Sequence, residues 1–176
     1  MDFKVLWKGK YLSVVSPTKY PYEAVYEKNG VISLPIITVK GQDLFVIRKE
    51  LCPPYMIKGG DTLYYTTLSG QIDGEEKPDK ALLREIQEES GIVVKSHKIL
   101  FEKSMNVNKT TSAIGYFFVL RITDFTIETP TGDGTAYEKA SKTLYVTAER
   151  LESILMKPNV DFLLTGIYSI YKSLKG

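Results

Sequence analysis

Residues 70–92 constrain this chain more than any other stretch. They read Gly70-Gln-Ile-Asp-Gly-Glu-Glu76-Lys-Pro78-Asp-Lys-Ala-Leu-Leu-Arg84-Glu85-Ile86-Gln-Glu88-Glu89-Ser-Gly91-Ile92. Pro78 can open a helix, because its missing N–H would be unpaired in the first turn anyway. Gly91 suits the left-handed position that ends one. Between them Glu85, Glu88 and Glu89 stand at i, i+3 and i+4 and share a helix face. Leu82, Leu83 and Ile86, with Ala81 at the edge, form another face that can pin the helix to a core. Arg84 stands four residues before Glu88 and can pair with it. Seven of the chain's 21 acidic residues fall in this window, against three of its 23 basic ones. An acidic knot in an otherwise basic chain points to a divalent-cation site serving an anionic substrate. Hard oxygen ligands on a rigid element suit Mg²⁺, with Mn²⁺ as a substitute. On composition alone such a helix is equally a solvated face, and the spacing separates the two readings.

That spacing resembles the Nudix box, G-x5-E-x7-R-E-U-x-E-E-x-G-U with U aliphatic. Gly70, Glu76, Arg84, Glu85, Ile86, Glu88, Glu89, Gly91 and Ile92 fill every fixed position. The resemblance implies a hydrolase that cuts a diphosphate joined to another group, most often a nucleoside. It also implies an α/β (α+β) fold, an α/β/α sandwich around a mixed sheet, with the box as loop–helix–loop. Glu85 and Glu89 would be the principal metal ligands, with Glu88 in the same cluster and the Ser69 carbonyl as a further ligand. Glu76 and Arg84 would hold the loop to the helix, and Gly70 would let the backbone turn into the loop. Metal ions would neutralise the diphosphate and lower the pKa of an attacking water.

The segment before residue 31 is additional to a basic Nudix domain. Gly9-Lys10-Tyr11-Leu12, Tyr22-Glu23-Ala24-Val25-Tyr26-Glu27 and Val31-Ile-Ser-Leu-Pro35 are similar to ADP-ribose pyrophosphatases. In those, extra strands form a small sheet exchanged within a homodimer, and its aromatic side chains help hold the adenine. Residues 1–30 are thus expected as a dimerising β segment carrying Tyr22 and Tyr26 toward substrate, and residues 31–176 as the hydrolase domain. The alternative is that these strands only extend the sheet of a monomer. The same subfamily uses a glutamate on the loop before the last strand as general base. Glu138 is the nearest glutamate to that strand, with Asp133 second, so Glu138, Glu88 and Arg84 make up the expected catalytic set. Arg48 or Lys49, at a strand end before the box, could contact a phosphate or be ordinary surface cations.

Departures from the subfamily bear on the substrate. Asn108 stands where a proline is common, Thr67-Leu68-Ser69-Gly70 replaces Leu-Pro-Ala-Gly, and the Pro53–Gly60 insertion lengthens the loop before the box strand. The Ser-Gln-Pro-Trp-Pro-Phe-Pro pattern of NADH-cleaving relatives is missing. Lys109 and Thr110 occupy positions where dinucleoside polyphosphate hydrolases carry tyrosine. ADP-ribose or another ADP-sugar is the leading substrate. The alternatives are a nucleoside triphosphate pyrophosphatase or a nucleotide-sensing domain without catalysis.

The remainder of the chain sets bounds. Its 176 residues suffice for one domain with a real core. The N-terminus lacks a signal-peptide pattern and no stretch reaches membrane-spanning length. A single cysteine, Cys52, allows no internal disulfide and fits a reducing cytoplasm. His97 is the one histidine and reads as a surface or strand-edge residue. A net charge of +2 does not recommend nucleic acid as a partner. Expected strands are Phe3–Trp7, Tyr11–Val15, Glu23–Lys28, Val31–Val39, Asp43–Arg48, Thr62–Leu68, Lys98–Met105, Ala113–Ile122 and Lys142–Val146, with turns at Lys8-Gly9-Lys10 and Asn29-Gly30. Ile114–Leu120 reads as a buried central strand. Thr147 is expected to cap a helix from Ala148. Pro158 is expected to open the last helix, with Phe162, Leu163, Ile167, Ile170 and Tyr171 facing the core.

Overall fold

In the computed structural model, residues 2–10, 12–19, 22–57, 59, 63–132 and 139–175 are described. Among these residues, ten strands fall into two sheets. β1 (Phe3–Lys8), β2 (Ser13–Pro17) and β3 (Ala24–Tyr26) form a small antiparallel meander. The main sheet runs β10 (Lys142–Val146), β5 (Gln42–Leu51), β4 (Gly30–Val39), β9 (Ile114–Ile127), β8 (Ile92–Asn106). Two short strands join it: β6 (Leu63–Thr66) on β5 and β7 (Leu68–Gln71) on β4. β4 and β9 are parallel and the other pairs antiparallel, so the sheet is mixed.

β4 is buried over seven consecutive residues, Val31 to Ile37, because both faces of the sheet are covered. Its alternate residues feed two cores. Ile32, Leu34 and Ile36, with Phe45, Ile47 and Val119, pack under α3 (Ala148–Leu155) and α4 (Phe162–Ser173). Val31 and Ile37, with Val46, Phe118 and Leu120, pack under α2 (Pro78–Ser90) through Ala81, Leu82 and Ile86. The architecture is therefore helix–sheet–helix, as expected. Pro35 sits inside this central strand without a lost ladder bond on one side. The β7 pairing ends at Ser33 and the β5 pairing begins at Ile36, so Pro35 falls in the gap.

Several local expectations are corrected. Asn29-Gly30 makes no hairpin: β3 and β4 lie in different sheets, and the Asn29 side chain instead accepts the Ile114 N–H at 2.9 Å. The tight turn lies at Lys40-Gly41, both at positive φ (51° and 80°), between β4 and β5. A five-residue helix, α1 (Pro53–Ile57), occupies the stretch read as loop. β8 starts at Ile92, straight after the box helix, well before Lys98. The last helix starts at Phe162, not Pro158. Residues 159–161 are held against β6, where Tyr65 N–H donates to Asn159 and Asp161 N–H to Tyr65 (2.9 and 2.8 Å). Asp161 then caps the helix by accepting Leu163 N–H. This rotates the helix so that Leu164, Ile167, Tyr168 and Tyr171 face the core and Phe162 is 81% exposed. Thr147 does cap α3, accepting from Arg150 N–H. His97 is exposed on the edge strand β8, and Cys52 is a half-buried free thiol. No helix among the described residues is long and apolar enough to cross a membrane.

Candidate active site

α2 carries the carboxylates as its sequence requires. Pro78 occupies the first turn and Gly91 ends the helix at φ 72°. A Cβ at Gly91 would also lie 2.1 Å from the Glu128 carbonyl oxygen, so glycine is needed there for space as well as conformation. The apolar face pins α2 to the sheet and brings its acidic face against β7. Glu89 lies one turn beyond Ile86 on the buried stripe and is only 7% exposed. Glu85 meets Gly70 so closely that a Cβ on that residue would stand 2.0 Å from the carboxyl carbon. Glu89 Oε2 accepts the Ser69 N–H at 3.0 Å. A buried carboxylate, Glu89, and a half-buried one, Glu85, therefore converge on the Ser69-Gly70 peptide from one helix.

Arg84 knits the loop to the helix. Its Nη2 donates to Glu76 (2.9 Å) and to the Gln71 carbonyl (2.9 Å), and its Nη1 donates to Glu85 (2.6 Å) and Glu88 (3.1 Å). The Arg84 hydrogen bonds hold Glu76 below its ordinary carboxylate value, and the same contacts raise Arg84. Glu85 and Glu89 move the other way. Burial raises both, most strongly Glu89, with Arg84 opposing the shift at Glu85 and Arg48 opposing it at Glu89. The Glu85 charge adds to the rise at Glu89.

Arg48 differs from the surface-cation reading: it is 3% exposed and faces Glu89. Its Nη1 donates to the Glu89 carbonyl (2.9 Å), and its Nε lies 3.6 Å from the carboxylates of both Glu89 and Glu50. Lys49 lies over the ring of Tyr65. Thr143 Oγ1 also donates to the Glu89 carbonyl (2.6 Å), and the Tyr145 phenol to that of Ser90 (3.3 Å). The motif contains no trace of these two β10 residues; only their place on the strand beside Arg48 could have flagged them.

Cavities open on both sides of the carboxylates. One of about 600 Å³ is lined by Arg48, Glu89, Lys139, Lys142, Thr143 and Tyr145, among others. Another of about 200 Å³ reaches Ser69 and Gly70 and is walled by Glu27, Val107, Ala113 and Gly115. Tyr22 and Tyr26 lie farther out, both more than half exposed on the small sheet, Tyr26 stacked on Phe3 at 5.6 Å and Tyr22 beside a separate cavity of about 380 Å³. Glu138 and Asp133 lie outside the described residues. β3 is tied to the main body by Val25 and Thr110–Ser112 backbone bonds and by the Thr111 hydroxyl on Glu27.

Among the described residues no three acidic, histidine or cysteine side chains are grouped as a ready metal cage. The donor chemistry nonetheless fits a hard cation. The Glu85 charge adds to the cost of the buried Glu89 carboxylate, and a divalent ion held by the two would relieve it.

No family model matches this chain, and no curated protein matches it in sequence. Among solved structures it is similar to the crystal structure of an ADP compounds hydrolase, with a TM-score of 0.66 and 18% identity. The match covers 100% of this chain and 93% of that one. The likeness establishes the fold: a mixed sheet between helices.

Proposed function

We propose that this protein is a Nudix hydrolase that cleaves the diphosphate of a nucleoside diphosphate derivative, with ADP-ribose or another ADP-sugar as the leading substrate. The observation that carries the reading is the convergence of Glu85 and Glu89 on the Ser69-Gly70 peptide, where a fully matched box begins. Glu85 and Glu89, with Glu88 and the Ser69 carbonyl, would hold Mg²⁺, or Mn²⁺ in its place. The bound ion would supply charge neutralisation at the diphosphate and a more acidic water. Arg84 keeps Glu85 and Glu88 oriented through its Nη1 hydrogen bonds. Arg48 and the lysines Lys139 and Lys142 line the larger cavity, where cations suit the diphosphate oxygens. The smaller cavity beside Gly70 offers an apolar wall for the nucleoside half. Glu138 is the base that takes the proton from water as its oxygen attacks phosphorus and the bridging P–O bond breaks. For ADP-ribose the products are AMP and ribose 5-phosphate.

The chain also works as a homodimer in this account. Phe3, Trp7, Tyr22 and Tyr26 of the small sheet are each 48–57% exposed, an aromatic surface suited to a second copy. A cytoplasmic setting accords with the lone thiol. A panel of ADP-ribose, other nucleotide sugars, dinucleoside polyphosphates, NADH and nucleoside triphosphates, incubated with Mg²⁺ and resolved by chromatography, tests the assignment. AMP from ADP-ribose is expected. Turnover of triphosphates alone would keep the chemistry and overturn the substrate, and silence with retained nucleotide binding would favour a sensor.

A further inference from the structure

A helix end leaves its last carbonyls without intrahelical partners, and at the end of α2 each finds a specific donor. Gln87 accepts from Gly91 N–H (2.8 Å) and Glu88 from Gly132 N–H (3.1 Å). Ser90 accepts from Tyr145. The Glu89 carbonyl takes two side-chain donors, Arg48 and Thr143, which are cross-strand partners on β5 and β10. That doubly held residue is the one whose carboxylate accepts the Ser69 amide.

We propose that Thr143 is a positioning residue: with Arg48 it clamps the Glu89 main chain so that the Glu89 carboxylate stays seated on the Ser69 amide, facing the cation. This rests on the reading of Glu89 as a cation ligand. Arg48 cannot do the work alone, because its guanidinium also lies beside the carboxylates of Glu89 and Glu50 and would follow either of them. Thr143 has a short side chain on a paired strand and therefore fixes the carbonyl against the sheet. Gly132 and Thr143 flank the segment that contains Glu138 and bond to successive residues of α2. The clamp thereby also ties the carboxylates to both ends of that segment.

The test compares Thr143→Val, which keeps the shape and removes the hydroxyl, with Thr143→Ser, which restores it. Two readouts are followed: hydrogen exchange of the Ser69 amide by NMR, relative to other β7 amides, and Mn²⁺ affinity by electron paramagnetic resonance. The valine variant is expected to exchange the Ser69 amide roughly fivefold faster and to bind Mn²⁺ roughly fivefold more weakly, the weight of one hydrogen bond. Serine should return both toward wild type. A lower melting temperature with both readouts unchanged would make Thr143 a helix stop and overturn the proposal. If the wild-type protein binds no Mn²⁺, the cation reading fails, and the Ser69 amide alone decides whether the clamp exists. Should the valine variant not fold, Thr143→Ala against Thr143→Ser carries the same comparison.

Discussion

Replacing Gly70 by alanine should separate the position of Glu85 from the stability of the fold. Gly70 has no positive φ, so alanine meets no backbone penalty there. The obstacle is the Glu85 carboxylate, 2.0 Å from where the new methyl would stand. That group is the end of a flexible side chain and can retreat by roughly 1.4 Å, the gap between 2.0 Å and an ordinary 3.4 Å contact. Retreat loosens the 2.6 Å bond from Arg84. The expected cost is about 1–2 kcal/mol, or a fall in Tm of roughly 3–6 °C for a chain of this length. Turnover should fall far more if Glu85 holds the proposed cation, because the new methyl displaces it. Urea denaturation of both single variants and the double variant is the decisive assay. In a Glu85→Ala background Gly70→Ala should cost less than about 0.5 kcal/mol, since the obstructing group is gone. The full cost persisting there would refute the argument. Gly91→Ala gives the contrast: φ 72° and a clash with a backbone oxygen that cannot swing away predict about 3 kcal/mol whatever stands at residue 85.

Other consequences can be checked as directly. Arg121 binds Asp43 through both oxygens at 2.6 and 2.7 Å and holds its carboxyl down at about 2. A depressed acid stabilises the fold above its unfolded value of 3.8 and loses that contribution as pH falls toward 2. Asp43→Asn should therefore lower Tm at neutral pH and flatten its fall between pH 4 and pH 2, as read by calorimetry; an unaltered acid limb would remove Asp43 from the account. Glu85 and Glu89 have raised values, so their contribution has the opposite sign: full at low pH, lost as pH rises through the folded values. Without divalent ions, Glu89→Gln should flatten that loss with rising pH, and an identical pH–Tm curve would contradict it. Removing residues 1–28 should convert a dimer of twice 19.9 kDa to monomers by light scattering. A truncated dimer would locate the interface elsewhere.

The box helix was legible because its constraints are local. Pro78, Gly91 and the spacing of Leu82, Ile86 and the glutamates specify start, stop and faces without knowledge of the sheet. Glu76 and Arg84 likewise meet where the motif implies. What the sequence hid depends on partners far along the chain. Glu89 reads as one of three carboxylates on a shared helix face with no sign of how deep it lies, yet it is buried, with Arg48, 41 residues earlier, donating to it from β5. The last helix begins late because Asn159 and Asp161 are recruited by β6, nearly a hundred residues upstream. Thr143 and Tyr145 carry no local signal for their bonds to α2, which arise from the pairing of β10 with β5.

The central claim is that the clustered carboxylates of one helix support cation-dependent hydrolysis of a nucleoside diphosphate linkage. The rate of AMP release from ADP-ribose, measured by chromatography as Mg²⁺ is raised from chelator-treated enzyme, tests it most directly. The account predicts a rate that rises from near zero and saturates for the wild type, and that stays near zero for a folded Glu89→Gln variant. A rate independent of Mg²⁺, or a fully active Glu89→Gln enzyme, would contradict it.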